Sequence, residues 1–422
     1  MRIADGLVPS WSGAVRIAGH PGGHMTDTSL MPLHMRRDGF APVPELGALR
    51  DEEGVRRVMT PFGVEAWLVT RHADVRAVLG DAERFPLAQI GLARLPGAPP
   101  VSDEELAVLR AGNLLAHDPP EHTRLRRLLT PEFTLRRMRR LEPRVTRIVE
   151  DHLDAMEKAG PPADLVQAFA LPIPSLVICE LLGVPYDDRE GFQHRTSRML
   201  DVSVPVEQRV KLQIESRAYM SGLVERVMAD PGEELLGMLV REHGDELTPA
   251  ELAGIGSLLL FAGHETTSNM LSLGTLALLR HPDQLRLLRE EPERADAAVE
   301  ELLRWLSIVH SGTSKVAAAD TEIAGRTIRA GELVICALPA ANRDPGLLPD
   351  PDALDITRGA PGHVGFGHGV HHCLGAPLAR MEMRIAFPAL LRRFPELRLA
   401  EPGPSFRSFH LVHGLTALPV TW

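Results

Sequence analysis

The stretch that most limits how this chain can fold is residues 247–280. Thr248, Pro249 and Glu251 make a helix start: a threonine N-cap, a proline at the first helical position, and a glutamate three residues on that can return a hydrogen bond. The helical pattern then runs unbroken to Arg280 and stops at His281-Pro282. That is about 32 residues, or ~48 Å at 1.5 Å per residue. From Leu252 to Leu279 the only formal charge is Glu265. An apolar rod of this length needs a bilayer or neighbours on all sides. His264, Glu265, Thr266, Thr267, Ser268 and Asn269 sit mid-span, where lipid would penalise them, and the sequence shows no second span. The expectation is the core helix of a soluble protein.

Packing does not explain a carboxylate and two hydroxyls in the middle of such a helix, because a buried unpaired carboxylate is costly. In one reading Thr266 bonds back to the i−4 carbonyl and Glu265 pairs with an arginine. In the other, small Ala262 and Gly263 leave room for a ligand beside the helix.

A second stretch bears on that choice. Gly365-Phe366-Gly367-His368-Gly369-Val370-His371-His372-Cys373-Leu374-Gly375-Ala376 sets one cysteine among four glycines and three histidines, ahead of a helix-like segment. Glycine lets a loop take positive φ and approach a flat ligand closely. A cysteine at a helix N-terminus meets unpaired N–H groups and the positive end of the helix dipole, both favouring thiolate. Cys373 is then a buried cysteine in a turn, a zinc ligand with His363, His368, His371 or His372, or an axial thiolate on haem iron. Adjacent His372 and Cys373 do not easily share one tetrahedral site, and no CxxC or HExxH occurs elsewhere.

Other features are local. Asp118 is placed to cap a helix on which His122 and Arg126 share a face at i,i+4. Residues 122–147 hold nine arginines against Glu132 and Glu142, a basic face on a chain of net charge −10. Glu301 and Arg304 are i,i+3 on a helix, followed by a Pro/Asp-rich segment and Arg358. Residues 67–70 and 315–334 read as strands, with turns at Gly325 and Gly331. Residues 72–79 read as a helix and 86–112 as irregular. Residues 187–245 read as helices broken near Pro205 and Pro231-Gly232, and 406–422 as strands turning at His413-Gly414. Three cysteines make no disulfide framework and point to a reducing cytosol. The acidic balance argues against a nucleic-acid binder. Residues 1–24, rich in Pro, Gly and His, lack the apolar run of a signal peptide. They read as a disordered extension before a single domain over 25–422.

The spacing Phe366-x-x-Gly369-x-x-x-Cys373-x-Gly375 resembles the haem-binding loop of the haem-thiolate monooxygenases, the cytochrome P450 superfamily. Ala262-Gly263-His264-Glu265-Thr266-Thr267 resembles that family's oxygen-activation motif. Glu301-x-x-Arg304 with Arg358 is similar to its Glu-x-x-Arg helix and meander, and His122 with Arg126 to its propionate-binding helix. The motifs occur in the family's order over residues 40–422. The resemblance implies a mainly α, triangular single-domain fold with a minor β region. Haem b would lie between the long helix and the helix after the Cys loop.

On that resemblance Cys373 is the iron ligand and, with Glu265 and Thr266, catalytic. His122, Arg126, His371 and Lys315 hold the propionates. Lys315 stands where the family usually has arginine, keeping the charge without the bidentate fork. Ala262, Gly263, Phe366, Gly367 and Gly375 lie against the haem, and Glu301, Arg304 and Arg358 form a buried charge network behind the loop. The implied reaction inserts one oxygen atom from O2 into a C–H or C=C bond. Electrons come from NAD(P)H through a ferredoxin reductase and an acidic ferredoxin seated on the basic face of residues 124–147. The overall pattern is similar to soluble, cytoplasmic, monomeric actinobacterial members that tailor secondary metabolites. Its substrate is expected to be a hydrophobic polyketide, macrolide or terpenoid. Expected walls are residues 85–112, 186–235, 258–263, 309–313 and 409–413, with Phe85, Ile90, Leu259, Val309, His310 and Phe409 as contacts. The alternatives are a peroxide-using haem-thiolate enzyme and a haem-binding sensor.

Overall fold

The long apolar stretch forms one helix with the expected ends, and the others are arranged around it. The computed structural model describes residues 31–87, 95 and 97–422; the extension expected at 1–24 and the contact expected at Ile90 lie outside them. In chain order the helices that build the site are α1 (Glu121–Leu129), α2 (Leu135–Ala159), α3 (Pro172–Leu182), α4 (Arg189–Leu200), α5 (Val206–Ala229), α6 (Pro249–Arg280), α7 (Ala295–Leu306) and α8 (Ala376–Arg393). At the start of α6 the Thr248 N–H donates to Glu251 Oε2 at 2.8 Å, and the Glu251 N–H donates to Thr248 Oγ1 at 3.2 Å. This reciprocal cap satisfies two end donors.

α6 packs against α3, α4, α5, α7 and α8. One hydrophobic core runs through these contacts, from Leu125 on α1 and Phe169 before α3 to Leu271 and Phe387 on α6 and α8. Small residues on α6 set the spacing. A Cβ at Gly254 would run into the Ala111 carbonyl, and one at Gly274 would lie 2.5 Å from Phe387 Cζ. Among the described residues, no helix is long and apolar enough to cross a membrane.

The minor β region centres on β1 (Val55–Met59), β2 (Glu65–Val69), β3 (Thr313–Val316) and β4 (Leu333–Cys336). Their order is β1-β2-β4-β3; β2 and β4 are parallel and the other pairs antiparallel. The continuous apolar run of β4 is buried along its length, as a central strand with both faces covered requires. Lys315 lies opposite Val334 in this sheet and is fully buried.

Two local expectations need correction. Residues 86–112 hold a helix, Asp103–Arg110, opened by a Ser102–Glu105 capping box. The Ser-x-x-Glu signal was present in the sequence, masked by the prolines on either side. Asp118 does not cap α1, which starts after Pro120 without a side-chain cap. Its carboxylate instead accepts from the Leu87 N–H at 2.8 Å and lies 3.1 Å from His371 Nε2.

Candidate active site

The Cys loop is a rigid turn tied to its neighbours. The Cys373 N–H donates to the Phe366 carbonyl at 2.9 Å. Gly369 has φ +73°, and a Cβ there would strike the Leu79 carbonyl, so only glycine fits. α8 begins at Ala376, and the Gly375 and Ala376 N–H groups reach the Cys373 sulfur. Behind the loop, Arg380 lies 4.6 Å over the Phe366 ring and pairs with Glu300 at 2.8 Å. Glu300 also meets His363 Nε2 at 3.0 Å, and His363 Nδ1 accepts from the Gly365 N–H at 3.0 Å. Burial alone would raise the Glu300 carboxyl, but Arg380 and His363 bring it down to about 2. Sequence reasoning missed this brace, because Glu300 reads as one more helix charge.

Cys373 keeps exposed surface, yet enclosing protein governs its titration. Burial pushes the thiol up, against the Gly375 N–H, Arg126, Arg380 and the Ala376 N–H. The helix terminus was expected to favour thiolate outright; here its pull is present and burial outweighs it. A cation seated on the sulfur reverses that balance, since a coordinating thiol is deprotonated.

Beside the cysteine, donors from three separate segments converge. The His122 and His371 rings are 4.3 Å apart. The charges of Arg126 and Lys315 reach both rings, and Arg126 also faces Cys373. Both nitrogens of His122, Nδ1 of His371 and Nζ of Lys315 are buried without a hydrogen-bond partner. Burial, then the charges of His371 and Arg126, pushes His122 down to about 4; burial also lowers Lys315, opposed by Asp118. Four orphaned nitrogens in one place are expensive unless a ligand meets them. Among the described residues, Asp118 is the one carboxylate acting on both histidines. A planar ligand with two carboxylates and a central metal answers both features, taking its carboxylates at the donors and its metal at Cys373. Haem fits this donor set. Among the described residues, no group of three or more His, Cys, Asp or Glu converges with metal-binding spacing, so the zinc reading has no ligand set.

α6 completes the site. Ala262 is exposed in the middle of an otherwise buried helix. Thr266 Oγ1 donates to the Ala262 carbonyl at 2.8 Å. Glu265 is buried, paired with Arg407, with His410 Nε2 3.8 Å away. Burial would raise its carboxyl, but Arg407, His264 and His410 hold it below the usual range. The two structural bonds considered for this pair are therefore both present. Arg407 was missed; it lies 142 residues downstream, and no local spacing points to it. Gly263 has a different role from the one expected. A Cβ there would lie 2.9 Å from Ile178 Cδ1, so its missing side chain admits α3, and Ala262 faces the open space. His264 donates from Nδ1 to the Leu260 carbonyl at 2.7 Å and meets the Phe192 ring edge-on.

The Glu301–Arg304 pair is fully buried and bidentate, with both bonds at 2.7 Å. Arg304 also donates to the Asn342 and Pro351 carbonyls, and the Asp355 N–H donates to Glu301. Arg358, expected as the third member, is bonded to neither. It meets Asp355 at 3.3 Å and the Asp350 carbonyl at 2.8 Å on the partly exposed side of the segment. Arg343 is the second buried guanidinium of this network, 4.7 Å over the Trp305 ring and bonded to the Trp305 carbonyl.

A cavity of about 320 Å³ runs beside α6, between it and α4 and α5. Its walls include Leu95, Leu109, Phe192, Leu258, Phe261 and Leu411, so four of the five expected wall segments contribute and residues 309–313 do not. The individual contacts expected among the described residues lie elsewhere than on this cavity. Phe85 sits in the core beneath the sheet, Leu259 in the helical core, and Phe409 on Met31 and Met35. Val309 packs between two cores, and His310 Nε2 is 2.6 Å from the His410 carbonyl. None of these five lines the cavity. A heptad-free loop-to-helix path gives no periodicity from which to tell wall from core.

Comparison with known proteins bears on the whole chain. The profile described as Cytochrome P450 matches residues 233–412. The chain is 50% identical over 399 residues to Cytochrome P450 FAS1 of Rhodococcoides fascians, covering 94% of this chain and 100% of that protein. It is 46% identical over 389 residues to pentalenic acid synthase of Streptomyces avermitilis, covering 91% and 95%. Among solved structures, CYP105P1 in complex with filipin I matches with a TM-score of 0.83 at 38% identity, over 92% of this chain and 97% of that one. A chain from the complex of the X-domain and OxyB from teicoplanin biosynthesis matches with a TM-score of 0.80 at 46% identity, over 92% and 99%. With its mainly helical architecture and its Cys373 loop, this chain belongs to the cytochrome P450 family, the monooxygenases that hold haem through a cysteine.

Proposed function

We propose that the chain inserts one oxygen atom from O2 into a C–H or C=C bond of a hydrophobic secondary metabolite. The observation that carries the reading is the meeting of Cys373 with the orphaned donors of His122, His371 and Lys315 beside Arg126. Cys373 would ligate the iron, and these four side chains would hold the two propionates. Bound there, haem supplies O2 activation at an iron whose thiolate favours O–O cleavage.

The chain's own residues then handle protons. Thr266, donating to the Ala262 carbonyl, keeps lone pairs free to accept and can pass its proton on by turning. Glu265 is ionised beside Arg407 and is a poor acid while that pair holds. It serves as a relay when its carboxylate leaves Arg407 and takes up a proton from water. A terpenoid- or macrolide-type substrate agrees with the apolar cavity, with a relative named pentalenic acid synthase and with a relative solved in complex with filipin I. Electrons would come from an acidic ferredoxin and its NAD(P)H-dependent reductase, docked on exposed Arg136, Arg139, Arg140 and Arg147.

The test is turnover under isotopically labelled O2 with ferredoxin, reductase and NADPH, using terpenoid and macrolide libraries. One labelled oxygen per product supports the reading. Product formed only with added peroxide, and without label from O2, moves the chain to the peroxide-using class.

A further inference from the structure

The cavity beside α6 is apolar in body, but three guanidiniums line it, Arg195, Arg209 and Arg217, and among the described residues no carboxylate does. Arg217 is accounted for in part, donating to the Val108 and Ala111 carbonyls from α5. Arg209 is different. It is 1% exposed, lies over the Phe62 ring at 5.4 Å, and donates from Nε to the Met199 carbonyl at 2.8 Å. Its Nη1 is buried with no partner. Asp201, the acid whose charge reaches it, accepts the Ser203 N–H and hydroxyl on Oδ1 at 2.8 and 2.6 Å and forms no ion pair with Arg209. Burial lowers the guanidinium to about 10, which leaves it charged at neutral pH. Arg195 shares the wall, lying over Tyr219 and bonded, among the described residues, only to Ser216 Oγ at 3.2 Å. A buried, unpaired cation is costly, and a folded protein keeps one where a ligand brings the anion.

We propose, resting on the monooxygenase reading of this site, that the cavity selects a hydrophobic substrate carrying one carboxylate, taken by Arg209 with Arg195. The apolar body lies along Leu258, Leu260 and Phe261, which end one residue before Ala262. The anionic end therefore stays at α4 and α5, and oxidation falls at the far end of the molecule. Guanidinium suits this task because its planar fork matches a carboxylate.

The test is calorimetric binding to haem-loaded enzyme of dodecanoic acid, methyl dodecanoate, dodecylamine and dodecyl phosphate. The acid should bind at least tenfold tighter than the ester and the amine. Arg209→Met should weaken the acid at least tenfold and the ester less than twofold, and Arg209→Lys should recover part of the preference. Acid and ester within twofold of each other, an undetectable acid, or equal loss of both in Arg209→Met would overturn the proposal. Phosphate preferred over acid by more than tenfold would overturn the carboxylate assignment. If Arg209→Met does not fold, Arg195→Met carries the test: the acid preference should fall at least threefold, and an unchanged preference rejects the proposal. The reduced, CO-bound spectrum of the same sample separates the two readings. A thiolate-haem band without acid preference removes only this substrate class; acid preference without the band removes the monooxygenase reading.

Discussion

Arg407 holds the Glu265 carboxylate from the far end of the chain, and that contact controls a buried charge in the middle of α6. Removing one partner of such a pair leaves the other ionised and unsatisfied. Arg407→Gln should therefore cost about 3 kcal/mol in urea unfolding, and adding Glu265→Gln should return most of it. Additive losses in the double variant would show that the two side chains do not depend on each other. Some of this scale was legible in advance. The mid-helix Glu-Thr pair and the lone cysteine among glycines stand out because each breaks the pattern around it. Their partners did not stand out, because an ion pair across 142 residues leaves no local trace. For the same reason Arg358 was matched with Glu301, when Arg343 lies closer to that network.

At the scale of elements, α6 and α5 make opposite use of glycine. Gly254 of α6 faces the Ala111 carbonyl, a backbone group that cannot swing away. Gly254→Ala should destabilise by at least 1–3 kcal/mol, beyond the helix propensity it gains. Gly222 of α5 has no atom within 4 Å of an added Cβ. Gly222→Ala should stabilise by about 0.5–1 kcal/mol. Thermal melts of the two variants moving the same way would contradict this packing. On α2, Arg137 and Arg144 are tied to Glu132 and Glu180, while Arg136, Arg139, Arg140 and Arg147 stay exposed. Arg136→Glu with Arg140→Glu should slow reduction by an acidic ferredoxin about tenfold at low salt, with little difference at 1 M, where screening is complete within ~3 Å. An unchanged rate would place the partner elsewhere. The bounds of α6 could be read from its sequence because both ends carry explicit signals. The Asp103–Arg110 helix was overlooked although its start signal was as good, since neighbouring prolines dominated the segment.

At the scale of the whole molecule, several histidines are folded in as neutral groups. His34 and His413 are nearly inaccessible. Burial pushes His34 down to about 4, and burial with the nearby Arg37 charge pushes His413 to about 3. The unfolded chain takes up these protons near pH 6.5, before the folded one does, so stability must fall as pH drops from 6.5 toward 4. Each group contributes a slope of up to about 1.4 kcal/mol per pH unit. Unfolding measured across this window should show a shallower slope in His34→Gln with His413→Gln; an unaltered slope would mean that neither histidine is held neutral. The overall architecture was legible because the motifs resemble those of a known family in the same order over residues 40–422, whereas the long apolar helix with capped ends implied no more than a core helix. The wall of the cavity was not, since it is assembled from seven separate stretches between Phe62 and Leu411.

The central claim is that Cys373 and the donors beside it hold a thiolate-ligated haem, and the absorption spectrum of the reduced, CO-bound protein tests it most directly. The wild-type protein should show the red-shifted band of thiolate ligation, and Cys373→Ser should lose it. A wild-type protein without that band, or a Cys373→Ser variant that keeps it, would contradict the account.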